Sequence, residues 1–196
     1  MITIDEITIV RDGRPIIKEY SEKIPAGSIT VIIGPNGCGK STLLAAIAGD
    51  IVPNKGTITI GEVHPARTSA RILAGVRAMA MQTQIFTLGF TVRQIIEMGG
   101  APFQVMEQLH LTQIADRYVT TLSGGESARV AIAQAIAQNA PVLLLDEPLA
   151  AQDVDSRRRI INLLKKLAES GTTIVVVVHS SENDLTWADK VIKNFA

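Results

Sequence analysis

Apolar and polar positions alternate along the chain in blocks that predict strands and helices in turn. Runs rich in β-branched residues predict strands at Ile2–Val10, Ser28–Ile33, Thr57–Ile60, Val76–Met81, Val142–Leu145 and Thr172–Val178. Between Val154 and Ser170 the apolar residues follow a helical period, with Asp153 or Asp155 at the start and Gly171 just beyond, which predicts a capped surface helix. Strands that alternate with helices predict the α/β class.

The predicted strands are of two kinds. In Ile2–Val10 and Thr57–Ile60 apolar residues alternate with polar ones, which is typical of an antiparallel sheet with one solvated face. Val142–Leu145 and Thr172–Val178 are continuous apolar runs, which is typical of parallel strands buried on both faces. We therefore predict a parallel core sheet with an antiparallel flank.

A central segment departs from this pattern. Residues 91–121 read as short amphipathic helical pieces, interrupted by Gly99, Gly100 and Pro102, without a strand signal. We therefore predict one domain over residues 1–196. Its core comprises residues 1–84 and 123–196, and residues 85–122 form a short helical insert.

The amino-acid composition limits the classes of partner that this protein can bind. The 196 residues carry 19 Lys and Arg against 19 Asp and Glu, so the formal net charge of zero gives no field that would gather nucleic acid. At 46% hydrophobic residues, the chain has enough apolar surface for an apolar partner. The apolar runs are too short to cross a bilayer. The acidic N-terminal residues Asp5 and Glu6 and the single cysteine, Cys38, lead us to expect a cytosolic protein.

The strongest motif is a glycine-rich loop between the strand ending at Ile33 and a predicted helix. It satisfies the pattern G-x-x-x-x-G-K-[ST] and consists of Gly34, Pro35, Asn36, Gly37, Cys38, Gly39, Lys40, Ser41 and Thr42. The glycines let backbone N–H groups converge on a phosphate, and the helix N-terminus adds partial positive charge. Lys40 is expected to reach the β and γ phosphates and Ser41 to ligate Mg²⁺. Cys38 is interpreted as a filler of the loop.

A second motif ends the apolar strand Val142–Leu145 with two carboxylates, Asp146 and Glu147. At the end of a strand beside the phosphate loop, Asp146 is expected to hold the Mg²⁺ shell. Glu147 is expected to polarise an attacking water. The sequence lacks the N-K-x-D motif of guanine recognition, which disfavours a GTPase.

A third motif, Leu122 to Glu126, opens a predicted helix. Ser123 and Glu126 form a capping box by their spacing. A capping box does not require Gly124 and Gly125, which would let a phosphate approach a helix N-terminus. The chain thus carries two anion sites, and two chains are needed to bring both to one nucleotide.

These motifs and their order resemble the nucleotide-binding subunits of ABC transporters, whose signature reads LSGGQ or LSGGE. The resemblance implies a P-loop NTPase fold with a RecA-like parallel sheet, and ATP and Mg²⁺ as cofactors. It implies a head-to-tail dimer, homodimeric or with a related chain, in which the loop at 34–42 and residues 123–125 of the partner enclose each ATP. Gln82 resembles the glutamine that contacts the metal and water, with Gln84 as the competing choice. His179 resembles the histidine on the γ-phosphate, and Asp153 the aspartate of the loop after the second motif.

Two positions depart from the family pattern. Arg11 stands where many members have a tyrosine that stacks on adenine; it either stacks on the base or is simply solvated. Gln152 stands where leucine is usual, which affects communication across the dimer.

The family implies a membrane permease as partner, a location on the cytoplasmic face of the membrane and, for an importer, a substrate-binding protein. The segment around Ile95–Gly99, together with Glu126, is similar to subunits that serve haem, iron-chelate, cobalamin or divalent-metal importers. Import is therefore expected. Some of the apolar residues of the insert are expected to form a groove for the permease; the alternative is that they only pack the insert against the nucleotide core. These residues are Ile85, Phe86, Leu88, Phe90, Ile95, Ile96 and Met98.

Two alternatives remain at this point. One is a soluble ABC ATPase acting in DNA repair or on ribosomes. The other is a regulatory ATP-binding module that no longer hydrolyses its nucleotide. The short insert disfavours the first, because DNA-repair members carry long coiled coils there. The presence of Lys40, Asp146, Glu147 and His179 disfavours the second.

Overall fold

The fold consists of two sheets with helices packed around them. The computed structural model describes residues 1–81, 89–100, 103–179 and 184–193. Within these residues, one sheet has three strands in the order β2-β1-β4, and the other has five strands in the order β5-β6-β7-β3-β8. The predicted α/β class, with a parallel core and an antiparallel flank, is confirmed.

The flank is antiparallel throughout. Its strands are β1 (Ile2–Arg11), β2 (Arg14–Ile24) and β4 (Lys55–Ile60). β2 was not predicted, because only Ile17 and Ile24 of its residues are buried and the polar pattern is otherwise irregular. A turn signal was available: Asp12 and Gly13 both have positive φ, at 50° and 73°, as a two-residue hairpin turn of type I′ requires.

The core sheet is parallel. Its strands are β3 (Ile29–Gly34), β5 (Arg77–Ala80), β6 (Val142–Asp146), β7 (Thr173–His179) and β8 (Lys190–Lys193). All five residues of β6 are buried, as expected for a strand covered on both faces. The short edge strand β8 was not predicted, because its four residues include two lysines.

Six α-helices complete the described fold: α1 (Lys40–Ala48), α2 (Ala70–Ala74), α3 (Val92–Glu97), α4 (Phe103–Gln108), α5 (Gly124–Ala137) and α6 (Val154–Glu169). One apolar layer joins the flank and α1 to one face of the core sheet. The other layer packs α3, α4, α5 and α6 against the opposite face. Within the described residues, no helix is long and apolar enough to span a membrane.

The insert is helical where it is described, but several of its apolar residues belong to the core. Ile95 and Ile96 are buried in the layer formed with α5, and Phe90 is half-buried against the same layer. Ile95 and Ile96 therefore pack the insert against the core, and the expectation of a docking groove is wrong for these two residues. For the half-buried Phe90 it stays a prediction. Met98 is exposed. Ile85, Phe86 and Leu88 lie outside the described residues.

Candidate functional site

The carboxyl ends of three neighbouring strands bring the predicted site residues together. In the parallel pairing of β3 with β7, Gly34 lies opposite His179. In the pairing of β6 with β7, Asp146 lies opposite Val177, and the N–H of Glu147 donates to the Val177 carbonyl at 3.0 Å. Residues more than a hundred positions apart in the chain thus meet at one edge of the sheet, where open α/β sheets place their ligand sites.

The glycine-rich loop needs glycine at two positions for its shape. Gly37 has φ 79° and Gly39 has φ 98°, a region that side chains disfavour. At Gly39 a Cβ atom would also lie 2.9 Å from the Cγ2 atom of Ile16 on β2. The flank therefore packs directly against the loop, an arrangement that was hidden from the sequence because β2 was missed. Cys38 is half-buried against the flanking apolar layer, which fits its interpretation as a filler.

Lys40 is a buried cation whose hydrogen bonds are made within its own loop. Its Nζ atom donates to the carbonyl oxygens of Gly34 at 2.8 Å and Pro35 at 2.9 Å, and the residue is 6% exposed. These bonds compensate for the desolvation of the ammonium group. They also fix its charge at the centre of the loop, at the N-terminus of α1, where phosphate binding is most favourable.

Asp146 is buried beside the start of α1. Its carboxylate accepts a hydrogen bond from the Ser41 hydroxyl, whereas its Oδ1 atom is buried without a hydrogen-bond partner. Burial raises the pKa of Asp146, and the nearby charge of Glu147 raises it further, while Ser41 and Lys40 lower it. A buried carboxylate oxygen without a partner, next to a hydroxyl, is a donor set suited to a hard cation such as Mg²⁺.

An open cleft of about 490 Å³ lies over the loop. It is lined by Arg11, Ile16, Asn36, Gly37, Gly39, Lys40, Ser41, Thr42, Glu147 and His179. Glu147 has φ 50°, so its backbone turns sharply directly after β6. Glu147 and His179 also line a smaller cavity beside the cleft, of about 240 Å³. Most of the predicted cofactor and catalytic residues therefore share one cleft, and Arg11 is exposed at its edge.

The capping box predicted at the start of α5 is present. The Ser123 hydroxyl accepts from the N–H of Glu126 at 3.3 Å, and the Glu126 Oε2 atom accepts from the N–H of Ser123 at 2.8 Å. The Glu126 Oε1 atom also accepts from the Nη1 atom of Arg117 at 3.0 Å. The backbone hydrogen bond from Ser123 is the main factor that lowers the pKa of Glu126. Both carboxylate oxygens of Glu126 and the Ser123 hydroxyl thus accept hydrogen bonds within the chain, and these bonds fix the turn.

The two glycines of this turn differ. A Cβ atom at Gly124 would meet nothing within 4 Å, so this position is open. A Cβ atom at Gly125 would lie 2.8 Å from the carbonyl oxygen of Ala151. Nothing within the described chain therefore requires glycine at Gly124, whereas close packing against Ala151 is sufficient to require glycine at Gly125.

Asp153 has a structural role within its own chain. As the N-cap of α6, its Oδ1 atom accepts from the N–H of Ser156 at 2.7 Å, and its Oδ2 atom accepts from the Ser156 hydroxyl at 3.1 Å. These two hydrogen bonds lower the pKa of Asp153. Gln82 and its alternative Gln84 lie outside the described residues.

Ser123, Gly124 and Gly125 are not among the residues that line the cleft over the glycine-rich loop in the same chain. The parallel sheet, the loop that leads into α1 and the buried aspartate at the end of β6 define a P-loop nucleotide-binding protein.

The chain belongs to the ABC transporter family, whose sequence profile matches residues 17–150. It is 37% identical over 202 residues to the hemin import ATP-binding protein HmuV of Rhodococcus jostii, covering 96% of this chain and 69% of that protein. HmuV of Bordetella pertussis is 34% identical over 205 residues, covering 93% of this chain and 78% of that protein. The chain is therefore an ATP-binding, ATP-hydrolysing subunit of this family, as predicted.

Solved structures agree with the family. The dimeric structure of MJ0796, a bacterial ABC transporter cassette, superposes with a TM-score of 0.83 at 27% identity, covering 98% of this chain and 93% of that one. The structure of cbiO1 from Clostridium perfringens, part of the ABC transporter complex cbiONQ, gives a TM-score of 0.79 at 26% identity, covering 97% and 82%. The predicted P-loop NTPase fold is confirmed.

Proposed function

We propose that this chain hydrolyses MgATP in a head-to-tail dimer and so drives import of haem or a related metal chelate through a membrane permease. The observation that carries the catalytic part is the single cleft that Lys40, Ser41, Glu147 and His179 line together. Import and cargo are supported by the relatives, which are hemin import ATP-binding proteins at 34–37% identity over more than nine tenths of this chain. They do not favour a soluble ABC ATPase.

Each residue has a distinct task in this mechanism. Lys40 offers its ammonium group to the β and γ phosphates, and the backbone N–H groups around Gly37 and Gly39 bind the remaining oxygens. Glu147 accepts the proton of the attacking water, and His179 at the end of β7 orients the γ-phosphate. Arg11 lines the same cleft and is the group proposed to stack on the adenine base.

The metal contributes charge neutralisation on the phosphate oxygens when it is bound. The Oδ1 atom of Asp146 and the Ser41 hydroxyl are the groups that would hold it. Their fit rests on the buried Oδ1 atom, which lacks a hydrogen-bond partner within the protein. From the family resemblance, we also propose Gln82 as a ligand of the metal.

The second half of each ATP site comes from the partner chain. Gly124 is open to solvent at the N-terminus of α5, and this turn does not line the cleft of its own chain. Ser123, Gly124 and Gly125 of one chain would therefore close over the nucleotide held by the other chain, with Asp153 beside them. The permease binds the assembled dimer at the cytoplasmic face of the membrane, and a substrate-binding protein delivers the cargo on the opposite side.

Two substitutions separate binding from hydrolysis. Lys40→Ala should abolish tight ATP binding, because the phosphates lose their cation. Glu147→Gln should keep ATP binding but lower hydrolysis by roughly 10²- to 10⁴-fold, because the general base is lost. Phosphate release and ATP affinity are measured on both variants, with the exposed Glu169→Gln as the matched control. Wild-type turnover in Glu147→Gln would remove Glu147 from this role.

The dimer and the cargo need their own assays. Glu147→Gln should form a dimer with ATP and Mg²⁺ in size-exclusion chromatography, and a strictly monomeric profile contradicts the two-chain site. The cargo is tested with the co-purified permease in proteoliposomes. ATP-dependent uptake of haem is expected, and uptake that is absent for haem but present for another solute would contradict the proposed cargo.

A further inference from the structure

The loop that follows β6 carries a glutamine whose side chain bonds to the start of α5. The Nε2 atom of Gln152 donates to the carbonyl oxygen of Gly125 at 3.1 Å, and its Oε1 atom accepts from the Nη1 atom of Arg129 at 3.1 Å. The orientation of the amide follows from chemistry, because a carbonyl only accepts and a guanidinium only donates. Both the nitrogen and the oxygen of the side-chain amide therefore form hydrogen bonds within the protein.

The same guanidinium extends the connection to α6. The Nη1 atom of Arg129 also donates to the Ser156 hydroxyl at 3.4 Å, and Ser156 in turn donates to the N-cap Asp153. These hydrogen bonds of Gln152 and Arg129 are partly buried, where they are stronger than on an open surface. The first turns of α5 and α6 are thereby tied to one loop.

The backbone of this loop is also pressed against the turn. Ala151 has φ 56°, a conformation that costs a non-glycine residue about 1–2 kcal/mol, and its carbonyl oxygen lies 2.8 Å from the position that a Cβ atom of Gly125 would take. The surrounding contacts must therefore hold the loop in place, and Gln152 supplies two of them.

The loop begins at Glu147, which lines the cleft. One short segment, residues 147–153, therefore carries the proposed catalytic carboxylate at its start and touches the turn at 123–125 near its end. The proposed catalytic carboxylate and the turn are thus connected by contacts within a single chain.

We propose that Gln152 is a positioning residue: it holds the turn at 123–125 in the orientation in which it closes over the ATP of the partner chain. This inference rests on the head-to-tail dimer proposed above. Gln152 does not line the cleft over the glycine-rich loop; it lines the adjacent cavity of about 240 Å³ together with Glu147 and His179. We therefore expect its substitution to affect dimer closure and not the binding of ATP to one chain.

The test uses the full chain with Glu147→Gln as background, so that ATP is not consumed. The dissociation constant of the dimer with ATP and Mg²⁺ is measured by sedimentation, and ATP affinity is measured at concentrations where the chain is monomeric. Gln152→Met removes both hydrogen bonds without adding charge, and should raise the dimer dissociation constant roughly three- to tenfold, with monomer affinity unchanged. Gln138→Met, the same change at the other end of α5, should alter neither.

A second variant separates positioning from simple stabilisation. In Gln152→Glu the carboxylate still accepts from Arg129, so the melting temperature should stay at or above that of the background. The donor to the Gly125 carbonyl is lost, so the dimer should still weaken. A purely structural role predicts instead that Gln152→Glu dimerises as tightly as the background.

The outcomes are distinguishable. Failure of Glu147→Gln itself to dimerise overturns the proposed two-chain site, and the role of Gln152 falls with it. Dimerisation of the background together with equally tight dimerisation of both Gln152 variants overturns only the role of Gln152. Weaker dimers with unchanged ATP affinity and an undiminished melting temperature for Gln152→Glu support it.

Discussion

Asp146 should decrease the stability of the nucleotide-free protein, and its neutral analogue should be more stable. The carboxylate is buried, its Oδ1 atom has no hydrogen-bond partner, and burial together with Glu147 raises its pKa. Asp146→Asn removes the buried charge and keeps an oxygen that can accept from Ser41. We therefore expect a more stable fold that no longer supports Mg²⁺-dependent hydrolysis.

The size of the effect follows from the burial. An unsatisfied buried polar group costs about 1–3 kcal/mol, and part of that cost remains with the amide, so we expect a gain of about 1–2 kcal/mol. For a chain of this size each kcal/mol shifts the melting temperature by about 2–4 °C, so the expected increase is roughly 2–8 °C. Asp5→Asn, at an exposed position of β1, serves as control and should change little.

The pH dependence gives an independent check. The pKa of Asp146 is higher in the folded protein than the ordinary value of 3.8, so the folded state binds this proton more tightly than the unfolded chain. The contribution of Asp146 to stability therefore improves as pH falls from neutral through the raised pKa, and stops improving near 3.8. In Asp146→Asn this component should be missing from the pH profile of thermal unfolding.

Two results would refute the reasoning about Asp146. One is a melting temperature of Asp146→Asn below that of the wild type in the absence of nucleotide. The other is a pH profile of unfolding that is unchanged by the substitution. Either would mean that the carboxylate is better compensated than its unpartnered Oδ1 atom indicates.

Two further predictions concern the ends of the nucleotide site. Gly124→Ala should leave the melting temperature unchanged, because its Cβ atom enters open space within the chain, but should weaken the ATP-dependent dimer. Gly125→Ala should lower the melting temperature as well, because its Cβ atom meets the Ala151 carbonyl at 2.8 Å. Equal melting temperatures would contradict this distinction. Because Arg11 offers no aromatic platform, GTP should support hydrolysis at a rate within about tenfold of that with ATP, which corresponds to roughly 1.4 kcal/mol. Arg11→Tyr should widen this difference between the two nucleotides. A much stronger preference of the wild type for ATP would show that another group recognises the base.

The sequence by itself determined the chemistry of the cleft. The pattern from Gly34 to Thr42 constrains backbone geometry and side-chain chemistry at consecutive positions, so few folds other than a P-loop satisfy it. The buried run of β6 ending in Asp146, and the capping box of Ser123 and Glu126, are also local patterns whose physical causes lie within a few residues. For this reason these elements could be recognised before the chain was folded.

Only the tertiary structure decided what depends on contacts between distant segments. β2 has too few buried residues to give a periodic signal, yet its Ile16 packs against Gly39 and lines the cleft. Likewise, the insert residues Ile95 and Ile96 looked available for a partner until α5 was found to cover them.

The loop after β6 is the clearest case of such a dependence. In the sequence Gln152 was an unexplained departure from a family pattern, and Gly125 looked like a phosphate contact. In the fold, the Ala151 carbonyl and the Gln152 amide meet Gly125 across a gap of more than twenty residues in the chain. No local pattern encodes this meeting, because hydrogen bonds between segments far apart in sequence form only where packing of the whole chain brings them within about 3 Å.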